Sequence, residues 1–324
     1  LHPSMTPDSI NIEKELKTFE TMFRDAVKSQ VPLLDKILKY IVRSKGKQLR
    51  PMFVLLSARL CGGVNESTYR AASVVELLHT ATLVHDDVVD EAGERRGFFS
   101  LSALWKNKAS VLVGDYLLAK GLLLSLQNKD FKILEILSEA VRQMSEGELL
   151  QLEKSRLLNI SEEDYFTIIR NKTASLLASA CAAGAYSASQ DLDLTEKLRL
   201  FGEYTGIAFQ IKDDLFDYGK ADIGKPTGND IREKKLTLPL IFTLNEVTPT
   251  KKKRLIYILK NKYKNRTEIE EVIKEVEAAG GINYAEKIML DYQNRAFSIL
   301  DSFPNSPEKD SLSALVKFTT ERKK

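Results

Sequence analysis

Four stretches of this chain, each 24 to 28 residues long, contain no proline and repeat their apolar residues at helical period. They read YRAASVVELLHTATLVHDDVVDEA, DFKILEILSEAVRQMSEGELLQLEK, EEDYFTIIRNKTASLLASACAAGAYSAS and LTEKLRLFGEYTGIAFQIKDDLFDY. A strand usually runs about 5–6 residues, so segments of this length predict long helices. Several are apolar on more than one face, which places them inside a bundle rather than on its rim. The one strand-like run, LTLPLIFTL, holds Pro239 and reads as the entry to a helix. Ser161, just ahead of three acidic residues, marks a helix start. The expected fold class is all-α. No linker, low-complexity tract or repeat interrupts the chain, so residues 5–324 read as one domain, with Leu1–Ser4 a remnant ahead of a start at Met5.

Cys61 and Cys181 are too few and too far apart for a disulfide framework or a zinc site, and they point to a reducing cytoplasm. A net charge of +3 gives no basis for nucleic-acid binding. The run KKKRLIYILKNKYKNR, residues 251–266, reads first as a solvated helix face with a basic loop, and second as a weak contact with an anionic membrane surface. No apolar stretch is expected to approach the roughly 20 residues that span a bilayer. The protein is therefore expected to be soluble.

Asp86, Asp87, Asp90, Glu91 and Glu94 crowd into nine positions, with Arg95 and Arg96 directly after them. On a helix Asp86 and Asp90 lie one turn apart and Asp87 sits on the adjacent flank. Asp213, Asp214 and Asp217 repeat the same spacing on another long segment. One such cluster is an ordinary solvated face; two within otherwise apolar helices are not. Were the two helices neighbours, six carboxylates would converge, and only cations would relieve their repulsion. Oxygen-only ligands select a hard ion, and Mg²⁺ is commonly shared between a few carboxylates and substrate phosphates. Lys47 and Arg50 in GKQLRP, Arg95, Arg96, and Lys225, Lys234 and Lys235 near the second cluster are residue types that grip phosphate oxygens. Acid and base together call for a polyanionic, diphosphate-bearing substrate.

GKQLRP, HDDVVDEAGERRG, NKTASL and FQIKDDLFDYGKADIGKPTGND occur in this order over about residues 46–235. In this the chain resembles the trans-prenyl diphosphate synthases, most closely in type the long-chain octaprenyl members. The resemblance implies a bundle of about a dozen helices around a deep central cavity. It also implies a homodimer that extends an allylic diphosphate primer, such as farnesyl diphosphate, with isopentenyl diphosphate. By motif, Asp86, Asp87, Asp90, Asp213, Asp214 and Asp217 would ligate Mg²⁺. Arg95, Lys172, Thr173, Gln210, Lys225 and Lys235 would contact the allylic diphosphate. Lys47, Arg50, His79 and Arg96, with Gly46 shaping the turn, would bind isopentenyl diphosphate. RRGFFSLS departs from the family, which commonly has Pro and a small hydroxyl residue after the Arg pair.

Residues one turn before Asp86 point below the metals, where a growing hydrocarbon tail must pass. They are Ala81 and Thr82, where short-product members typically carry Phe or Tyr, so a long all-trans product is expected, such as a quinone side chain, with Met144 as a candidate floor. A Gly-rich segment, YGKADIGKPTGND, has the composition of a lid. A short-chain synthase and a non-catalytic regulatory subunit stay open as alternatives. A terpene cyclase would need a different second acidic motif.

Overall fold

Helix starts follow local chemistry in the computed structural model, which describes residues 11–44, 46, 48–89, 94–95, 98–99, 107–219, 228–261 and 264–321. The helices are α1 (Glu13–Ala26), α2 (Pro32–Arg43), α3 (Leu49–Leu60), α4 (Glu66–Val89), α5 (Asn107–Gln127), α6 (Phe131–Leu157), α7 (Glu162–Ile169) and α8 (Ser175–Ser189). They continue as α9 (Leu192–Leu215), α10 (Asn229–Arg232), α11 (Leu238–Glu246), α12 (Pro249–Lys260), α13 (Arg266–Ala279), α14 (Gly281–Asp301) and α15 (Pro307–Glu321). The all-α expectation holds. The described exception is a two-residue antiparallel ladder, β1 (Glu94–Arg95) with β2 (Phe98–Phe99), where the sequence predicted only a break.

Ser161 caps α7 in a reciprocal box: its Oγ accepts the Asp164 N–H at 3.0 Å and Asp164 Oδ2 accepts the Ser161 N–H at 3.1 Å. Pro239 sits in the first turn of α11, as the helix-entry reading expected, because an N–H there has no helical partner to lose. Gly280, at φ +81°, joins α13 to α14 in a left-handed conformation that a side chain would strain.

Cα proximity groups the chain into two units. The first comprises residues up to Val141, Ser179–Arg199 and Asn305–Leu312. In it α3 is buried from Pro51 to Ala58. Gly184 of α8 lies so close to α3 that a Cβ there would stand 2.3 Å from the Val54 carbonyl oxygen. Helices α4 and α5 pack along one another, and Leu77, Ala81, Val84, Val113 and Leu117 form their shared apolar cluster. The far side of α5 exposes Leu112, Leu123 and Leu126. This helix corrects one expectation: Lys108–Gln127 is long and apolar enough, by length and composition, to cross a membrane, and a third of it is buried. Its apolar residues surround the helix instead of forming one stripe.

The second unit comprises Arg142–Ala178, Leu200–Pro304 and Ser313 onward. Its core joins Ile207 and Ile211 of α9 to Leu238 and Ile241 of α11, Val272 and Val276 of α13, and Met289 of α14. A Cβ at Gly281 would come within 2.4 Å of the Pro239 carbonyl oxygen, so the start of α14 lies directly on α11.

Candidate active site

In the first unit α4 carries His79, Ala81, Thr82 and Asp86. His85 turns toward α5, where its Nε2 lies 3.2 Å from the Val111 carbonyl oxygen and 3.3 Å from Asp115 Oδ1. Its ring covers Gly114, where a Cβ would meet that nitrogen at 2.2 Å. Asp86, 100° further round the helix, is half-buried, as is His79 two turns earlier. Ala81 is 4% exposed, and the Thr82 hydroxyl donates to the Leu78 carbonyl oxygen at 2.9 Å. Gly46 is exposed ahead of α3, and Arg50 is half-buried in its first turn. Lys47, Asp90, Arg96 and Lys225, with most of the expected lid, lie outside the described residues. For Asp87 and Arg95 only the backbone is described, on α4 and in the ladder with Phe98.

The second unit brings Lys172, Thr173, Gln210 and Asp214 together around a distorted turn. Arg170–Ala174 forms a single π-helical turn between α7 and α8. Such turns concentrate at functional sites because they re-aim successive side chains. Three glycines let neighbouring helices close on it and on the first turn of α8. A Cβ at Gly147 of α6 would stand 2.7 Å from the Lys172 backbone nitrogen, one at Gly206 2.7 Å from Ala174 Cα, and one at Gly202 2.6 Å from the Leu177 carbonyl oxygen. Lys172 Nζ donates to Gln151 Oε1 at 2.7 Å and pairs with Glu148 at 2.7 Å. The Thr173 hydroxyl donates to Gln210 Oε1 at 3.0 Å, and Gln210 Nε2 donates to Asp214 Oδ1 at 2.9 Å. The other oxygen of Asp214 accepts the Tyr165 hydroxyl at 2.5 Å.

Asp217 departs from the helical reading. The α-helix ends at Leu215, and Phe216–Tyr218 form a 3₁₀ turn, so Asp217 leaves the face set by Asp213. Its carboxylate accepts the Asp230 N–H at 3.2 Å and its carbonyl oxygen accepts the Gly228 N–H at 3.0 Å, so Asp217 is held against the start of α10. A buried anion satisfied by the orphan amides of a helix start overrides helical periodicity. Asp214 and Asp217, both 7% exposed, are raised above the ordinary carboxylate range by burial, Asp214 to about 7. Asp230 is raised to about 6, again mainly by burial, and the Lys235 charge opposes this. The charges of Asp217 and Asp213 raise Asp230 in turn, and Asp230 raises Asp214.

These four carboxylates lie within electrostatic reach of one another in a largely buried setting, and a divalent cation would relieve them. The residues present therefore fit Mg²⁺. Among the described residues no group of three Asp, Glu, His or Cys side chains is arranged to hold a metal ion by itself.

Sequence reasoning missed Tyr165, Glu148, Gln151 and Asp230. Their signals are present nonetheless: Tyr165 and Lys172 stand seven apart on one helical path, and Asp230 closes the GKPTGND run.

Comparison with known proteins gives this arrangement its context. The octaprenyl diphosphate synthase of Escherichia coli (strain K12) is 34% identical over 300 residues, covering 92% of this chain and 93% of that protein. A polyprenyl synthase structure from Caulobacter crescentus CB15, complexed with calcium and isoprenyl diphosphate, superposes with a TM-score of 0.89 at 34% identity over 99% of both chains. A geranylgeranyl pyrophosphate synthase structure from Bacteroides thetaiotaomicron gives 0.82 at 39% identity over 96% of this chain and 97% of that one. The profile described as polyprenyl synthetase matches residues 31–276, which include α4, the π turn and the whole of α9, so the chain belongs to the polyprenyl synthetase family and is a prenyltransferase.

Proposed function

We propose that the protein catalyses Mg²⁺-dependent head-to-tail condensation of isopentenyl diphosphate onto an allylic diphosphate, giving a long-chain all-trans polyprenyl diphosphate and free diphosphate. The observation that carries the reading is the placement of Asp86 on the last turn of α4 and of Asp213 on the last turn of α9, each opening an aspartate motif within the family match. Asp86, Asp87 and Asp90 would hold the metal from one side. Of the second triad, Asp213 is assigned to the metal from its half-buried place on the last turn of α9, backed by Asp214 and Asp217, which also accept from protein donors. When bound, the ion supplies positive charge to the departing diphosphate. Arg95, Lys172, Lys225 and Lys235 hold the remaining oxygens of that group, while Lys47, Arg50, His79 and Arg96 hold isopentenyl diphosphate.

The bond between the allylic carbon and its diphosphate oxygen breaks with both electrons leaving on oxygen. The double bond of isopentenyl diphosphate then forms the new carbon–carbon bond, and a proton from the adjacent carbon passes to the released diphosphate. Thr173 and Gln210 offer fixed dipoles to the transient cation, a preorganised effect that needs no solvent rearrangement. Purified protein given farnesyl diphosphate, labelled isopentenyl diphosphate and Mg²⁺ should release elongated diphosphates. A cyclic hydrocarbon, or no product without a partner subunit, would remove the reading.

Product length is assigned from Ala81, whose small side chain is buried one turn before the aspartates. Ala81→Phe should shorten the product by several five-carbon units, read by chromatography of the dephosphorylated chains. An unchanged distribution would mean the tail does not pass this point. The 39% identity to a geranylgeranyl synthase favours a shorter product as the second reading, and the same wild-type assay separates the two.

The exposed Leu112, Leu123 and Leu126 of α5 support a homodimer, and the two free thiols support a cytoplasmic site. Exposed Lys252, Lys253 and Lys260 on α12 support a weak contact with an anionic membrane during product release. Light scattering at the mass of one protomer, or failure to sediment with anionic vesicles, would remove these assignments.

A further inference from the structure

Asp214 is held from two sides by one helical path. Tyr165, on α7, donates directly to Oδ2, and Thr173, eight residues on within the π turn, reaches Oδ1 through Gln210. Both hydroxyls thus converge on a single buried carboxylate, and that carboxylate adjoins Asp213. Two hydrogen bonds, one to each oxygen, hold the Asp214 side chain on the last turn of α9.

We propose that Tyr165 is a positioning residue for the reaction: by pinning Asp214 it fixes the end of α9 so that Asp213 is presented to the metal-bound diphosphate. The inference rests on the reading of Asp213 given under Proposed function. Within the same unit a matched control exists. The Tyr284 hydroxyl donates to Glu162 Oε1, also at 2.5 Å and also on α7, but at the opposite end of that helix from the π turn. Tyr284→Phe removes a tyrosine–carboxylate bond of equal length without touching the α9 aspartates.

The test is titration calorimetry of inorganic diphosphate into each protein in the presence of Mg²⁺. It is paired with Michaelis constants for isopentenyl diphosphate and for the allylic primer. Tyr165→Phe should weaken diphosphate binding about tenfold, the scale of one lost hydrogen bond to a charged group. It should raise the primer constant alongside, and leave that for isopentenyl diphosphate within about twofold. Tyr284→Phe should leave all three unchanged. Wild-type binding by Tyr165→Phe, or an equal loss in Tyr284→Phe, overturns the proposal. So does a Tyr165→Phe chain that does not fold, because Tyr165 would then support the fold at large. Failure of the wild-type protein itself to bind diphosphate with Mg²⁺ would instead remove the reading of the site on which the inference rests.

Discussion

Asp213→Ala should lower the condensation rate about a thousandfold, equivalent to about 4 kcal/mol of transition-state stabilisation, while leaving the fold intact. Asp213 is half-buried on the last turn of α9, and truncating it leaves the Asp214 and Asp217 hydrogen bonds in place. Asp214→Ala is the contrasting variant. It strips Tyr165 and Gln210 of a shared buried acceptor, so stability should fall by about 1–3 kcal/mol together with activity. Circular dichroism melts and single-turnover rates on both variants separate the two roles. Equal melting losses, or an Asp213→Ala enzyme within tenfold of wild type, would contradict the division of labour within the triad.

Gly147→Ala should also have a large effect, from a methyl group that touches no substrate. A Cβ at 147 would stand 2.7 Å from the Lys172 backbone nitrogen and 3.0 Å from Asn171 Cβ, and a backbone atom cannot rotate away as a long side chain can. Either α6 withdraws or the π turn reverts to a tighter helix. Overpacking of this kind costs about 1–3 kcal/mol of stability. It also moves Lys172 and its partners Glu148 and Gln151, so the rate should fall by one to two orders of magnitude, with the primer constant raised. A chain as stable and active as wild type would show that the π turn has slack.

Much of this was legible in the sequence, for definable reasons. Long periodic segments fixed the helices, and Ser161 and Pro239 marked starts where expected because capping is a local interaction. Asp217 was misplaced because its neighbour in space, the start of α10, follows it by a dozen residues, and helical periodicity carries no information about such a partner. The π turn was invisible for a related reason. A single wider turn keeps side-chain types and shifts phase by only one residue, so its signal lies in Gly147, Gly202 and Gly206 on other helices. The apolar length of α5 was underestimated because Asp115 and Lys120 break its run of apolar letters without lowering the average enough. Residue types at the site could be read from the motifs, but the partners of Lys172 and Asp214 depend on packing between helices far apart in sequence.

The most direct measurement is a crystal structure of the protein with Mg²⁺ and a non-cleavable analogue of farnesyl diphosphate. The account predicts metal ions ligated by Asp86 and Asp213 on either side of the diphosphate, Lys172 released from Glu148 onto its oxygens, and the hydrocarbon tail running past Ala81. A diphosphate bound away from either aspartate triad, or two triads too far apart to share one, would contradict it.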